Sequence, residues 1–207
     1  MKYKIILPVL LLFIMQGCFS EQSAINKYYT IEHPHEVSSD PVNADPTVDG
    51  ICELMPIEIH SLYESNKIVN RSDSHEITYY KYHQWAVRPS VAIREMILHQ
   101  LETANLFEGI STRYLSKIPD YTFVTILRSL EVLEEEEALS AHLDIEFRMK
   151  NQAGEMLVNH TAMRTEKLME KDMNLFAEKV SSMINEELEL FISGLNEEKL
   201  KPGKPTE

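Results

Sequence analysis

From Leu139 to Lys150 every second residue is apolar. Leu139, Ala141, Leu143, Ile145, Phe147 and Met149 alternate with Ser140, His142, Asp144, Glu146, Arg148 and Lys150. A period of two sends successive side chains to opposite faces, so the segment predicts a half-buried strand with one wet face. A helical period of 3.6 would scatter the same apolar set around a cylinder. Tyr121–Glu134, just before it, is rich in Thr, Val, Ile, Leu and aromatic residues and reads as a second strand. The acidic run Glu134–Glu137 between them is assigned to an exposed hairpin turn, since four like charges cannot be buried together. A third strand, Met156–Thr165, follows the turn at Asn151–Gly154 and completes a meander.

Outside this meander, strand composition recurs at "KYYTIEH" (27–33), Ile51–His60, Lys67–Arg71 and Glu76–Tyr82. The stretch Glu32–Gly50 carries Pro34, Pro41 and Pro46 and reads as a solvated loop. The period changes over residues 88–107, where Pro89 suits a first helical turn and Ile93, Ile97, Leu101 and Ala104 form one stripe. The last element starts near Asp172, a good cap residue. Its apolar face is Met173, Phe176, Ala177, Val180, Ile184, Leu188, Phe191 and Leu195. With no βαβ alternation, the expected fold is α+β: an antiparallel sheet with two main helices packed on one face, a two-layer sandwich. One domain is expected over 27–196, with a flexible tail over 197–207.

The N-terminus limits where such a domain can work. Lys2 and Lys4 precede an apolar run from Ile5 to Met15, roughly 16 Å of helix at about 1.5 Å per residue. A bilayer core needs about 20 residues, so residues 1–17 read as a cleaved signal peptide. The run ends in "MQGC", which matches a bacterial lipobox: Gly17 offers the small side chain a signal peptidase accepts, and Cys18 is positioned to receive the lipid. Residues 18–26 are then a lipidated tether. Two or more acyl chains, palmitate among them, hold a protein stably on a membrane.

Cleavage after Gly17 removes two lysines and no acid, taking the formal net charge from −13 to −15. Such a surface is repelled by phosphates, which argues against nucleic acid and against electrostatic docking on lipid headgroups, so the chain is expected to hold the membrane through its lipid. Once Cys18 is alkylated, Cys52 has no thiol partner and reads as a small buried hydrophobe. His33-x-His35 is the one close histidine pair, without further ligands at metal spacing, and no metal or cofactor is expected. Nucleophile elbows and phosphate-cradling glycine loops are missing from the sequence, so no enzyme chemistry is expected. Tyr28, Tyr29, Tyr79, Tyr80, Tyr82 and Trp85 flank the start of the sheet. They suit either an exposed docking surface or strand-face packing.

Taken in order, the lipobox, "KYYTI", "PIEIHSLYESNKIVNR" and "EITYYKYHQWAVRPSVAIREMILHQL" resemble the ABC-type transport auxiliary lipoproteins, the family similar to paraquat-inducible protein C. His60 stands where that family usually has proline, and the loop 32–50 is longer than usual. The resemblance implies a lipid-anchored component of intermembrane lipid transport, in the outer membrane and facing the periplasm. Implied partners are a mammalian-cell-entry-type protein and its inner-membrane transporter, with room for a homo-oligomer matched to the partner's symmetry. Tyr28, Tyr29, Arg71 and Trp85 are the candidate docking residues. Two other functions compete. A lipid carrier with its own cavity would need apolar residues where 140–150 is polar, and an envelope assembly or scaffold lipoprotein would share the anchor without the transport.

Overall fold

The computed structural model describes residues 25–33, 46–112, 118–135 and 138–195. The signal peptide, Cys18, His35 and the tail 197–207 lie outside them. The strands are β1 (Lys27–Tyr29), β2 (Val48–Leu54), β3 (Glu58–Ile59), β4 (Lys67–Arg71), β5 (Ile77–Trp85), β6 (Phe107–Ser111), β7 (Tyr121–Glu134), β8 (Leu139–Asn151) and β9 (Met156–Lys167). The helices are α1 (Pro89–Thr103), with Pro89 in its first turn, and α2 (Met173–Ser193). Asp172 caps α2, its Oδ1 accepting from the backbone N–H of Asn174 at 2.5 Å and of Leu175 at 3.4 Å.

β7 is the axis of the sheet. One edge pairs antiparallel with β8, which pairs antiparallel with β9. Along the other edge, β2, β3 and β4 lie one after another, all parallel to β7. β6 joins β2 in parallel, β5 joins β4 antiparallel, and β1 joins β5 in parallel. The sheet is therefore curled and mixed, not the antiparallel one expected. The reason is connectivity: residues 48–71 run one way along β7, and α1 with β6 then provides the length a parallel return requires. The expected strand Ile51–His60 is split at Met55–Ile57, where Pro56 has no N–H to donate.

Both helices share a core with the inner face of this sheet. Phe123, Phe147 and Phe191 form a triangle with ring centroids 5.2 to 6.0 Å apart, and Trp85 packs on Phe176 at 5.7 Å. Ile93, Ile97 and Leu101 of α1 join them, each fully buried. Burial of side chains this size stabilises by about 1.5–3 kcal/mol each. The helices are tied by Gln100, whose amide donates to Asn185 Oδ1 at 2.7 Å.

The acidic hairpin closes as predicted at its base, where the backbones of Glu135 and Ala138 exchange hydrogen bonds of 3.0 and 3.3 Å. The wet face of β8 is a correction. Asp144 and Glu146 are polar, outward-facing and yet only 9% and 3% exposed.

Candidate interaction surface

At one end of the sheet β1, β5 and β4 form a three-stranded wing whose two faces are chemically distinct. The inner face is half-buried, and Tyr29, Tyr80 and His83 line a cleft there together with Glu134, Asp172 and Asn174. The Tyr29 hydroxyl lies 2.7 Å from His83 Nδ1, with their rings stacked at 5.7 Å, and Tyr80 meets His83 edge-on at 5.8 Å. Burial, with Glu134 adding to it, pushes the Tyr80 phenol up to about 12. Trp85 completes this side against α2 and is 2% exposed.

The outer face is open. Tyr28 is paired in register with Gln84, and Lys67 with Gln84 from the other side, so all three point the same way. The Lys67 ammonium sits 4.9 Å from the centre of the Tyr79 ring, which brings Tyr79 onto this face too. Tyr82 precedes the inward His83 and carries the Lys81 ammonium 5.0 Å above its ring. Tyr28, Tyr79 and Tyr82 are 60%, 43% and 37% exposed. Such cation–π contacts are worth about 0.5–1 kcal/mol at exposed sites.

The four candidate docking residues are thus divided. Tyr28 and Arg71 belong to the outer face, whereas Tyr29 is half-buried and Trp85 is enclosed on the inner one. For Trp85 the packing alternative holds, because α2 lays Phe176 across it. Lys67 and Lys81 are absent from the sequence-based set. The Lys67–Tyr79 contact depends on a β4–β5 register that shifts between Lys67 and Val69, and local pattern carries no trace of it.

From Arg71 at the end of β4 across β7 and β8, the outer face is an ionic layer. Arg71 grips Glu131 through Nε at 2.7 Å and a second guanidinium nitrogen at 3.0 Å, while the Tyr63 hydroxyl donates to the same carboxylate at 2.9 Å. Burial, reinforced by Glu131, pushes the Tyr63 phenol up to about 12. Arg128 pairs with Asp144 at 3.2 Å and also with Glu146, which Arg148 holds from the other side at 2.6 Å. The Arg148 hydrogen bond, then that of Arg128, keeps the Glu146 carboxyl below its ordinary range. Here each buried carboxylate has an arginine. Lys67 and Lys81, in contrast, are held by tyrosine rings, with no carboxylate partner among the described residues.

On the helix side the acids are denser. Arg164 of β9 meets Glu186 at 2.7 Å and Glu187 at 3.2 Å, and also pairs with Glu166. Lys179 reaches Glu166 at 3.0 Å, and His160 Nε2 lies 2.8 Å from Glu187. Cys52 is fully buried and its thiol is pushed up to about 12 by that burial, so it packs as a hydrophobe. His33 bridges the two helices: its ring lies 3.1 Å from Asn185 Oδ1 of α2 and 3.0 Å from the Met96 carbonyl of α1. Among the described residues no group of three His, Cys, Asp or Glu side chains is placed to hold a metal, and no helix is long and apolar enough to cross a membrane.

Comparison with known proteins places this architecture. A family model described as "ABC-type transport auxiliary lipoprotein component" matches residues 29–189. The fold is similar to that of a solved protein of Xanthomonas campestris, with a TM-score of 0.64 at 15% identity, covering 81% of this chain and 95% of that one. A second solved protein, uncharacterized, gives a TM-score of 0.64 at 9% identity over 82% and 98% of the two chains. Comparison with curated proteins returned no match.

Proposed function

Because the chain belongs to the family of ABC-type transport auxiliary lipoproteins, we propose that it is the non-catalytic, lipid-anchored auxiliary of an intermembrane phospholipid transport system. The observation that carries this reading is the family match, which runs from β1 into α2 and so takes in almost the whole described fold. In this reading Cys18 bears the lipid and the domain faces the periplasm from the outer membrane. Phe19 follows the acylated cysteine where an aspartate would commonly signal retention in the inner membrane. A mammalian-cell-entry-type protein conducts lipid between its inner-membrane transporter and the outer membrane, and this domain receives the distal end of that conduit. The energy for transport comes from the transporter.

The role needs a rigid body and an exposed docking surface. The ring-packed core supports the first and the wing supports the second. A carrier with its own cavity is less well supported, because the centre of the space between sheet and helices is filled by Phe123, Phe147, Phe176, Phe191 and Trp85, and the cleft at its edge, between β1 and α2, is lined by polar side chains such as Glu32, Asn174, Glu178 and Ser182.

The test is a photo-crosslinking residue in place of Tyr28, in cells that carry the natural partners. A mammalian-cell-entry-type protein in the crosslinked product is the expected result. Its absence there and at Arg71 removes the docking assignment. For the anchor, Cys18→Ser is expected to abolish acylation and release the chain from the membrane fraction. Full retention in that fraction sinks the lipid-anchor reading.

A further inference from the structure

Among the described arginines, Arg71, Arg128, Arg148 and Arg164 each meet a carboxylate. Arg88 and Arg94 meet none, in a chain with 33 acidic side chains against 20 basic ones. Both line one cleft of about 490 Å³ at the N-terminus of α1. Arg94 is fixed there. Its Nη2 donates to the carbonyl of Leu54, at the end of β2, at 2.9 Å and to that of Thr112, just past β6, at 2.6 Å. Its Nε is buried without a partner, and Nη1 donates to nothing among the described residues. A guanidinium held only by neutral oxygens keeps its full charge, with most of its donors unused. An anion in the cleft would offset the cost of confining that charge.

The helix end adds to this. Arg88 stands at the N-cap, but its side chain makes no capping bond, and the first turn holds no acid. Pro89 has no N–H, and that of Ser90 has no acceptor among the described residues. At the start of α2, in contrast, Asp172 supplies the cap. The positive end of the α1 dipole is therefore left uncovered beside two guanidinium groups, an arrangement that suits an oxyanion.

Two further features narrow the class of ligand. Ile57, Ile59, Val91 and Leu98 give the cleft an apolar wall. Glu64 and Glu95 line it too, without pairing to either arginine, and oppose an anion of more than one charge. We infer that this cleft binds the phosphodiester group of a lipid, with Arg88, Arg94 and the Ser90 N–H on the phosphate and the apolar wall against the root of an acyl chain. The net negative charge of the chain does not oppose it, because screening confines each distant charge to about 8–10 Å. No residue of the wing lines the cleft, so the site is separate from the docking surface and neither depends on the other.

The experiment uses the full acylated chain in a phosphate-free, non-ionic detergent, with isotope-labelled arginine so that each Nε–H gives its own nuclear magnetic resonance. Titration with dihexanoyl phosphatidylglycerol is expected to move the Arg94 resonance saturably and to leave those of Arg71 and Arg148 in place. Glycerophosphoglycerol, the same phosphodiester without acyl chains, is expected to bind about tenfold more weakly, and inorganic phosphate more weakly again. Arg88→Gln, at an exposed side chain, is expected to weaken lipid binding about tenfold with an unchanged melting temperature. Glu64→Gln with Glu95→Gln is expected to tighten it severalfold, a gain that a merely structural role for these residues would not produce.

No saturable movement at Arg94, an equal response at the ion-paired arginines, full affinity in Arg88→Gln, or no gain in the glutamate double variant each overturns the inference. Inorganic phosphate or decanoate binding as tightly as the lipid overturns it too, by assigning the cleft to a free anion or to a carboxylate. None of these failures touches the transport reading, which crosslinking at Tyr28 tests separately.

Discussion

On the inner face of β8, Leu143, Ile145 and Phe147 are sealed beneath α2, while on its outer face Asp144 and Glu146 are 9% and 3% exposed with no helix above them. The inner residues are dry because a second layer covers them. The outer ones are covered by Arg128 and Arg148, whose stems lie across the sheet while their guanidinium groups meet the carboxylates. Alternation therefore reports polarity, not exposure. A polar strand face can be closed by its own long side chains when the strand lies between two neighbours, as β8 does between β7 and β9.

The two kinds of closure differ in what they contribute. Removing inner-face volume leaves a cavity that the surrounding rings cannot fill. Phe147→Ala is expected to cost about 3–5 kcal/mol, read as a lowered midpoint of denaturant unfolding. An effect below about 1 kcal/mol would mean that the Phe123–Phe147–Phe191 cluster is not the centre of the core.

On the outer face, removing one partner is worse than removing both. Arg71→Met leaves Glu131, whose side chain is 4% exposed, with the Tyr63 hydroxyl as its remaining side-chain donor. Because the Arg71 side chain is 27% exposed, the expected loss is set at the low end, about 2 kcal/mol. Arg71→Met combined with Glu131→Leu is expected to recover most of it. A strictly additive double mutant would show that the pair is not coupled and would equate it with an ordinary surface contact.

Acid should separate the faces too. The Glu146 carboxyl is held below the ordinary value of 4.5, so its contribution is present above that pH and is lost as pH falls through the lower folded value. The stability gap between the natural chain and Glu146→Gln is expected to stay constant near neutrality and to shrink below about pH 4.5. For Phe147→Ala the corresponding gap should not change over that range. Thermal melts across pH check both, and a Glu146→Gln gap that widens on acidification contradicts the ion-pair geometry. The smallest effect is expected at Tyr79→Ser, whose ring is 43% exposed: within about 0.5 kcal/mol. A larger loss would mean that the Tyr–Lys contacts support the wing instead of serving a partner.

Much of the fold is legible residue by residue. Lys67–Arg71 and Tyr121–Glu134 have the strand bounds that composition predicts, and Asp172 caps the helix it was assigned to. β6 escapes notice because "FEGIS" is five residues with a glycine in the middle, too short to show a period. The wing was legible as a concentration of aromatics, but not as two faces. Tyr79 and Tyr80 are adjacent in sequence and opposite in environment, and which of them is covered depends on where α2 lies.

Local chemistry in the sequence determined the period of each element, the helix caps and the polarity of each strand face, because these depend on neighbours within a few residues. It also supplied the motifs on which membership of the lipoprotein family rests. Strand direction, the closing of a polar face and the meeting of Lys67 with Tyr79 were decided only in the tertiary structure. Each depends on contacts between segments far apart in the chain, whose energies no local pattern records.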